Sequence, residues 1–484
     1  MNRSTKVFKG FIQVLFLTAL MLTGCNGGGG SNPTPVDPGP TNPVTPPGTT
    51  NPPPVIPPIA GSPQQDPKLA LSNIRISGGP TANAGECTAI GVDSQGTVHI
   101  VYYSDSEGSP KHAFCQKAND CSDLSNWTVE FIEDNRTRSP KLGRDINLAI
   151  DSNDQLHVSY RDVLDSLTNY PKTTADGVAV LKYASGKKIG GSWTWTPMLV
   201  EDTIYGVTDT YIDLSSDKIH ISYHKKAAPS DLTSDVLSYA SCVIPCTSWT
   251  PTQVDQGKET GVPNHIVVAN GSVHISYYSD GKLKYAVCDL SGNCTSGSSW
   301  HLKTIDEGTF ELGRDNSLAV RADGSVHVTY FDSGNGNDNG TGIDSSDHPY
   351  LKYASCPSDC AGSGVWKSTP VDGFDNVADS SDNRVNIGRS SQVKLSPDGR
   401  LHVTYREMDI SHQDLKYATC LLTTDCLSAN NWKHYWVDGN GVGWDTYLAF
   451  ASDGSIHISY RDSTNLALKY AWGEASFIAW DALP

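Results

Sequence analysis

A seven-bladed β-propeller with four-stranded antiparallel blades is the fold class this sequence predicts, and three observations predict it. One phrase recurs seven times: "TVHIVYYS", "QLHVSYRD", "KIHISYHK", "SVHISYYS", "SVHVTYFD", "RLHVTYRE" and "SIHISYRD". Its histidines, His99, His157, His220, His274, His327, His402 and His457, are spaced by 58, 63, 54, 53, 75 and 55 residues, so the unit is fixed and its insertions vary. Each unit holds four strand-like pieces separated by turn residues. Strict alternation over short runs is strand grammar, not helix grammar, and four strands at this period make one blade. Seven units suit a closed ring, which removes sheet edges. A linear solenoid needs atypical capping repeats, and the sequence has none.

The elements follow in chain order. Arg3, Lys6 and Lys9 precede the apolar run "FIQVLFLTALML", which is short for a membrane span. The run ends in Leu22-Thr23-Gly24-Cys25, which resembles the lipobox of bacterial lipoproteins. The resemblance implies a signal peptide at 1–24, cleavage before Cys25 and lipidation of its thiol. Asn26 stands where an Asp would imply inner-membrane retention, so an outer-membrane lipoprotein is expected, facing the periplasm or the cell surface. Residues 25–66 form a Gly/Pro-rich linker with little to bury, expected unfolded and semi-rigid. At about 3.1 Å per residue it reaches on the order of 120 Å.

The propeller is expected at 67–484. Residues 69–76, "LALSNIRI", read as a strand ahead of blade 1 that completes the last blade. Within each unit come an apolar first strand such as "NLAI", a turn such as "SPDG" or "ASDG", the His phrase, an "LKYA" strand and a piece opened by Trp. In "LHVTYRE" the period of two puts His402, Thr404 and Arg406 on one face and Leu401, Val403 and Tyr405 on the other. Each imidazole is expected to bond the polar turn just upstream, such as Asp398 or Asp453. Tyr183, Tyr239, Tyr285, Tyr353, Tyr417 and Tyr470 are expected to pack blades, and His112 stands in that slot in blade 1.

The 12 cysteines argue for an oxidising compartment. Ten fall in pairs between third and fourth strands: Cys115–Cys121, Cys242–Cys246, Cys288–Cys294, Cys356–Cys360 and Cys420–Cys426. Pairs on separate spokes cannot converge on one zinc, so five local disulfides are expected, each worth roughly 2 kcal/mol by loop entropy. Cys25 is left for lipid, and Cys87 is expected as a free thiol buried near the channel.

The turns Ser396-Pro397-Asp398-Gly399 and Ser452-Asp453-Gly454 resemble the Asp-box repeats of sialidase-like propellers. The Asp box has one more residue before its Gly and ends in Trp, where this sequence has His. The resemblance implies architecture and carries over no catalytic residue.

Function is sought where the copies differ. The loop into each first strand (the inlet) and the loop out of each second strand (the outlet) share one face, here the mouth face. The inlets read Gly143-Arg144-Asp145, Gly313-Arg314-Asp315, Gly388-Arg389-Ser390 and Gly443-Trp444-Asp445 in blades 2, 5, 6 and 7, against Gly85-Glu86-Cys87 in blade 1. Asp209 and Pro263 fill the Asp slot in blades 3 and 4. Asp145, Asp209, Asp315 and Asp445 around a channel would repel unless balanced by Arg or a cation. Arg–Asp pairs between blades are one solution; a structural calcium is the other. The outlets read Tyr103, Arg161, His224, Tyr278, Phe331, Arg406 and Arg461, with Asp162, Asp332, Glu407 and Asp462 following. Long insertions at 162–180, 224–236, 332–349 and 372–388 rim this face.

A formal charge of −17 argues against nucleic acid as a partner. Against that charge, Arg144, Arg161, Arg314, Arg389, Arg406 and Arg461 with Trp444, Tyr103 and Tyr278 form the candidate site for an anionic glycan, because Arg forks read carboxylate and sulfate. Interblade salt bridges are the alternative role for the same residues. Binding is favoured over catalysis. A polysaccharide lyase or sialidase-like hydrolase is the alternative, with His224, Tyr278 and Glu407 as candidate groups; a protein-binding envelope scaffold is the third reading. A monomer is expected, held to the membrane by its lipid alone.

Overall fold

The structure is a computed structural model. It describes residues 68–79, 81–134, 144–164, 178–202, 206–226, 234–308, 312–333, 349–373, 387–408 and 413–473. The signal sequence, Cys25, the linker and most of the four long insertions lie outside these residues.

Seven four-stranded antiparallel sheets form the molecule. Their first strands are Glu86–Val92, Arg144–Ile150, Val207–Leu214, Asn264–Ala269, Arg314–Val320, Arg389–Leu395 and Val442–Phe450. Each packs against the next and the last against the first, so the ring closes. Ser72–Gly78 forms the outer strand of blade 7, with Ser72 opposite Trp472 and Gly78 opposite Ala467. The N-terminal piece thus completes the last blade, as expected. Among the described residues, helix is confined to three one-turn 3₁₀ segments, and no helix is long and apolar enough to cross a membrane.

Both faces of a blade are covered by neighbours, so alternation does not separate inside from outside. Val98–Ser104 is buried at all seven positions. The repeated His therefore needs partners on both ring nitrogens. Nδ1 meets the hydroxyl of Tyr183, Tyr239, Tyr285, Tyr353 or Tyr470 at 2.6–2.7 Å in blades 2, 3, 4, 5 and 7; His402 pairs likewise with Tyr417. In blade 1 it meets His112 at 3.0 Å. Nε2 reaches the upstream turn, with a correction to the expected atoms. Ser396 and Ser455, not Asp398 and Asp453, meet His402 and His457 at 2.7 and 2.9 Å, whereas Asp93 itself serves His99 at 3.2 Å. Five of these Tyr, all but Tyr417, also meet the next blade's Trp edge-on, as in Tyr239–Trp300 at 5.1 Å and Tyr285–Trp366 at 5.5 Å.

All five expected disulfides are present. Cys87 departs from expectation. It is buried beside the channel, but it is not a free thiol.

A polar clasp, unforeseen from the sequence, joins successive blades. An acid at or just beyond the end of one fourth strand receives the second-strand Tyr hydroxyl and, in most blades, the "LKYA" Lys of the next blade. Asp306 takes Tyr330 at 2.5 Å and Lys352 at 2.7 Å. Asp372 takes Tyr405 at 2.6 Å and Lys416 at 2.8 Å. Glu133 serves Tyr160 and Lys182, Asp255 serves Tyr277 and Lys284, and Asp438 serves Tyr460 and Lys469. Blade 3 has Ser238 in the Lys slot, so Lys225 reaches Glu201 instead, at 2.7 Å. The acids after the outlets feed the same lysines: Asp162–Lys182 at 2.5 Å, Asp332–Lys352 at 3.1 Å and Glu407–Lys416 at 3.3 Å.

Candidate functional site

The Asp slot at the channel mouth is a strained β-bulge. Cys87, Asp145, Asp209, Asp315, Ser390 and Asp445 all have φ of 50–53°, and the ladder slips there in six blades. Asp tolerates the left-handed region better than most residues. The glycine before it is dictated by contact as well as by φ. A Cβ on Gly313 (φ 98°) would lie 2.8 Å from Leu283 Cα of the preceding blade.

The bulge aims carboxylates at the neighbouring backbone. Asp445 accepts the Cys87 amide at 3.0 Å, and Asp315 the Ser390 amide at 3.0 Å. Pro263 offers no N–H in blade 4, and Asp209 takes the Thr208 hydroxyl at 2.7 Å. Burial pushes the Asp445 carboxyl up to about 6, against the pull of the Cys87 amide, Arg461 and Arg406. It raises Asp315 and Asp209 too. Among the described residues no group of three or more His, Cys, Asp or Glu is arranged to hold a metal ion. Arg389 also meets Asp315 at 3.2 Å.

The outlet of each blade faces the inlet of the next, and most pairs are complementary. Arg461 meets Glu86 at 2.7 Å and Asn83 at 3.1 Å across the closing joint. Arg314 lies over the Tyr278 ring at 4.5 Å and pairs with Glu259 at 2.7 Å. Arg389 lies over Phe331 at 3.9 Å and pairs with Asp315 at 3.2 Å. Between blades 6 and 7 the polarity reverses, with outlet Arg406 over inlet Trp444 at 3.5 Å. Arg161 turns inward to Asp145 of its own blade at 3.0 Å. Tyr103 is fully buried, and the Arg144 side chain lies outside the description. The predicted glycan residues are thus gathered on one face, largely engaged with neighbouring blades.

Arg406 differs from the rest. It is 1% exposed, and its Nη2 donates to Gln413 at 2.7 Å. Its Nε and Nη1 have no hydrogen-bond acceptor. Burial pushes its pKa down to about 9, opposed by Asp445. A buried cation with two unmet donors lacks an acceptor such as an anion or water.

The three candidate catalytic groups are not brought together. His224 bonds Thr208 at 2.7 Å and lies 3.4 Å from Asp235. Tyr278 lies beneath Arg314, and Glu407 pairs with Lys416. They belong to blades 3, 4 and 6.

One layer inside the mouth, residues missed in the sequence narrow the channel. Tyr211 and Tyr447 lie 6.4 Å apart, Asn147 donates to the Tyr447 hydroxyl, and His265 packs on Tyr211 at 4.9 Å. Their signal was legible as polar or aromatic residues two places after the Asp slot, where blade 1 has Ala89. The cavity left at the mouth, about 20 Å³, has room for about one water.

No protein-family model and no curated protein matches the chain. Solved structures that resemble it include a protein of unknown function from Dyadobacter fermentans, 9% identical over 83% of this chain and 97% of that one, with a TM-score of 0.49. The polysaccharide lyase Uly1 is 10% identical over 80% of this chain and 89% of its own, with a TM-score of 0.47. Trypanosoma rangeli sialidase in complex with sialic acid is 11% identical over 74% of this chain and 60% of its own, with a TM-score of 0.42. These likenesses concern architecture and not chemistry.

Proposed function

We propose that this protein is a binding propeller whose mouth face holds an anionic polysaccharide, carried clear of the outer membrane on a lipidated Cys25 and its linker. The observation that supports it is Arg406, a buried guanidinium with two donors unmet, between Arg389 and Asp445. Arg389, Arg406 and Arg461 occupy three successive joints on a chain of net charge −17. The scattered positions of His224, Tyr278 and Glu407 favour binding over catalysis.

The test uses the full chain, purified in detergent, against polygalacturonate and a neutral polysaccharide. Acid-selective binding that weakens with salt is expected, because exposed charge pairing is screened. Arg406→Gln should weaken it about tenfold, the loss of one charge-assisted contact. Failure of the wild type to prefer the acidic polymer would sink the reading. Growth of unsaturated-uronate absorbance would replace binding with lyase chemistry. Palmitate labelling of the wild type, lost in Cys25→Ser, checks the tether.

A further inference from the structure

The repeat breaks its own rule on the opposite face, between blades 1 and 2. In blades 1, 4, 5 and 6 the Trp that opens the fourth strand donates its indole N–H to the carbonyl of the second disulfide cysteine. Trp127, Trp300, Trp366 and Trp432 do so at 2.9–3.1 Å. Blade 2 has no disulfide loop. A long hairpin replaces it, Val178–Ile189 and Ser192–Glu201 joined by Gly190-Gly191. Trp195 holds the repeat's Trp position on this hairpin, opposite Gly186, and donates instead to Glu130 at 3.0 Å; Trp193, two residues earlier, has no hydrogen bond on its Nε1. Blade 1 deviates at the same joint. His112 replaces the usual Tyr, and His99, His112 and Phe114 meet Trp193 edge-on at 5.3–6.4 Å.

Without the loop, a groove of about 750 Å³ opens beside Trp193. That volume falls within the usual range of ligand pockets. Its outer wall carries Lys187 and Lys188, both exposed and in no ion pair among the described residues. Gln95, Gln116 and Asn153, all exposed, line it with side-chain amides. Lys117 also lines it, paired with Asp453 at 2.8 Å. The two carboxylates present are already engaged. Asp93 serves His99 and the Thr97 amide, and Asp154 takes the Ser94 amide and hydroxyl at 2.8 and 2.6 Å. An indole, planar amides and spare ammonium groups around one groove suit rings edged with hydroxyls and carrying negative charge.

We infer that the groove between blades 1 and 2 is a second saccharide site, which takes a short acidic oligosaccharide against Trp193 with its carboxylates or sulfates on Lys187 and Lys188. It is independent of the mouth face, lying at the other end of the same blades.

Calorimetry of the full chain with a galacturonate tetrasaccharide tests it, with a neutral galactose tetrasaccharide as control. Lys187→Glu/Lys188→Glu is the main variant, because both side chains are exposed and leave packing alone. Its affinity for the acidic probe should fall at least about tenfold, two exposed ion pairs turned repulsive. Trp193→Phe should weaken it less and remove a quench of indole fluorescence. An unaffected Lys187→Glu/Lys188→Glu variant, equal binding of the neutral probe, or no binding of the acidic one would each overturn the site. Arg406→Gln separates the faces. Loss of tetrasaccharide binding in Arg406→Gln alone would overturn the groove and leave the mouth reading standing. Loss in Lys187→Glu/Lys188→Glu alone would support the groove, whatever becomes of the mouth.

Discussion

Six of the seven interblade joints share one clasp, and the seventh lacks it. In the six, a fourth-strand acid ties down a buried Tyr and a Lys of the next blade. At the closing joint the fourth strand is Ser72–Gly78, drawn from the other end of the chain. Ser77 sits opposite Leu468 there, the slot that Asp306 fills opposite Leu283 and Asp438 opposite Leu415. Tyr102 is buried near Ser77, but its hydroxyl forms no hydrogen bond of ordinary geometry. Lys111 turns to Glu107 in its own hairpin. Closure rests instead on backbone pairing, on Arg461–Glu86 and on the Asp445 bond to Cys87. The difference teaches that the clasp belongs to the repeat, while the seal is improvised from a strand outside it. In the proposed arrangement the tether would pull on that seal first.

The largest test removes a clasp. Asp372→Ala strands Lys416 and Tyr405 without their shared acceptor. Breaking one partner of a buried pair costs about 3–5 kcal/mol. Lys111→Met at the closing joint should cost under about 1 kcal/mol, since its partner Glu107 is a third exposed. Urea unfolding of the two variants measures the gap. Equal losses would erase the distinction between the joints.

The next test uses pH. At the clasp, burial favours the neutral acid, but Lys416, His434 and Tyr405 prevail and hold Asp372 well below the usual carboxylate range. That stability is present above the unfolded value near 4 and is lost only as pH falls through lower values. Asp445 has the opposite sign. Raised to about 6, it favours the folded state fully below the unfolded value, and this benefit is lost as pH rises through about 6. Asp445→Asn keeps an oxygen for the Cys87 amide and removes the buried charge. It should be more stable than wild type at pH 8, by an amount of order 1–3 kcal/mol, with the advantage gone at pH 4.5. Melting curves at both pH values decide it; an advantage independent of pH would mean that Asp445 does not titrate in this window. The comparison must be between variants. His220, His327 and His457, pushed down to about 4 mainly by burial, withdraw stability from both as pH falls from 6.5.

What was legible in the sequence was whatever the repeat encodes within one copy. Strand order, the five disulfides and the His–turn bonds each need only one unit, and each was readable from it. The clasp was not, because its acid sits in one copy and its Tyr and Lys in the next. The mouth was half legible for the same reason. Read separately, Arg389, Arg314 and Arg461 look like a spare positive ring; set beside the preceding blade's outlet or the following blade's inlet, they find Phe331, Tyr278 and Glu86. Blade 2 was visible as one of the two copies without a cysteine pair, but the groove its hairpin leaves depends on where Trp193 settles.

The smallest expected effect builds the missing clasp. Ser77→Asp places a carboxylate in the register slot where the other joints have one. The bulge is already there, since the ladder slips between Arg75 and Ser77 as it does between Leu283 and Lys284. Tyr102 offers a buried donor whose contact with Ser77 falls short of ordinary hydrogen-bond geometry, and its own ionisation is disfavoured chiefly by burial, so it would donate rather than compete. Lys111 would have to leave Glu107, a contact that is partly exposed. One new charged hydrogen bond less the cost of burying the acid leaves a gain of about 1 kcal/mol. Tyr102→Phe alone should be near neutral, because it removes a hydroxyl without a hydrogen bond of ordinary geometry. Combined with Ser77→Asp it should cancel most of the gain, and this coupling in a double-mutant cycle is the quantity to measure. A gain that survives Tyr102→Phe would mean that the new charge acts through the general field and not through a clasp. A loss would show that the closing strand lacks the clasp's geometry as well as its chemistry, and that the improvised seal is the best this joint can make.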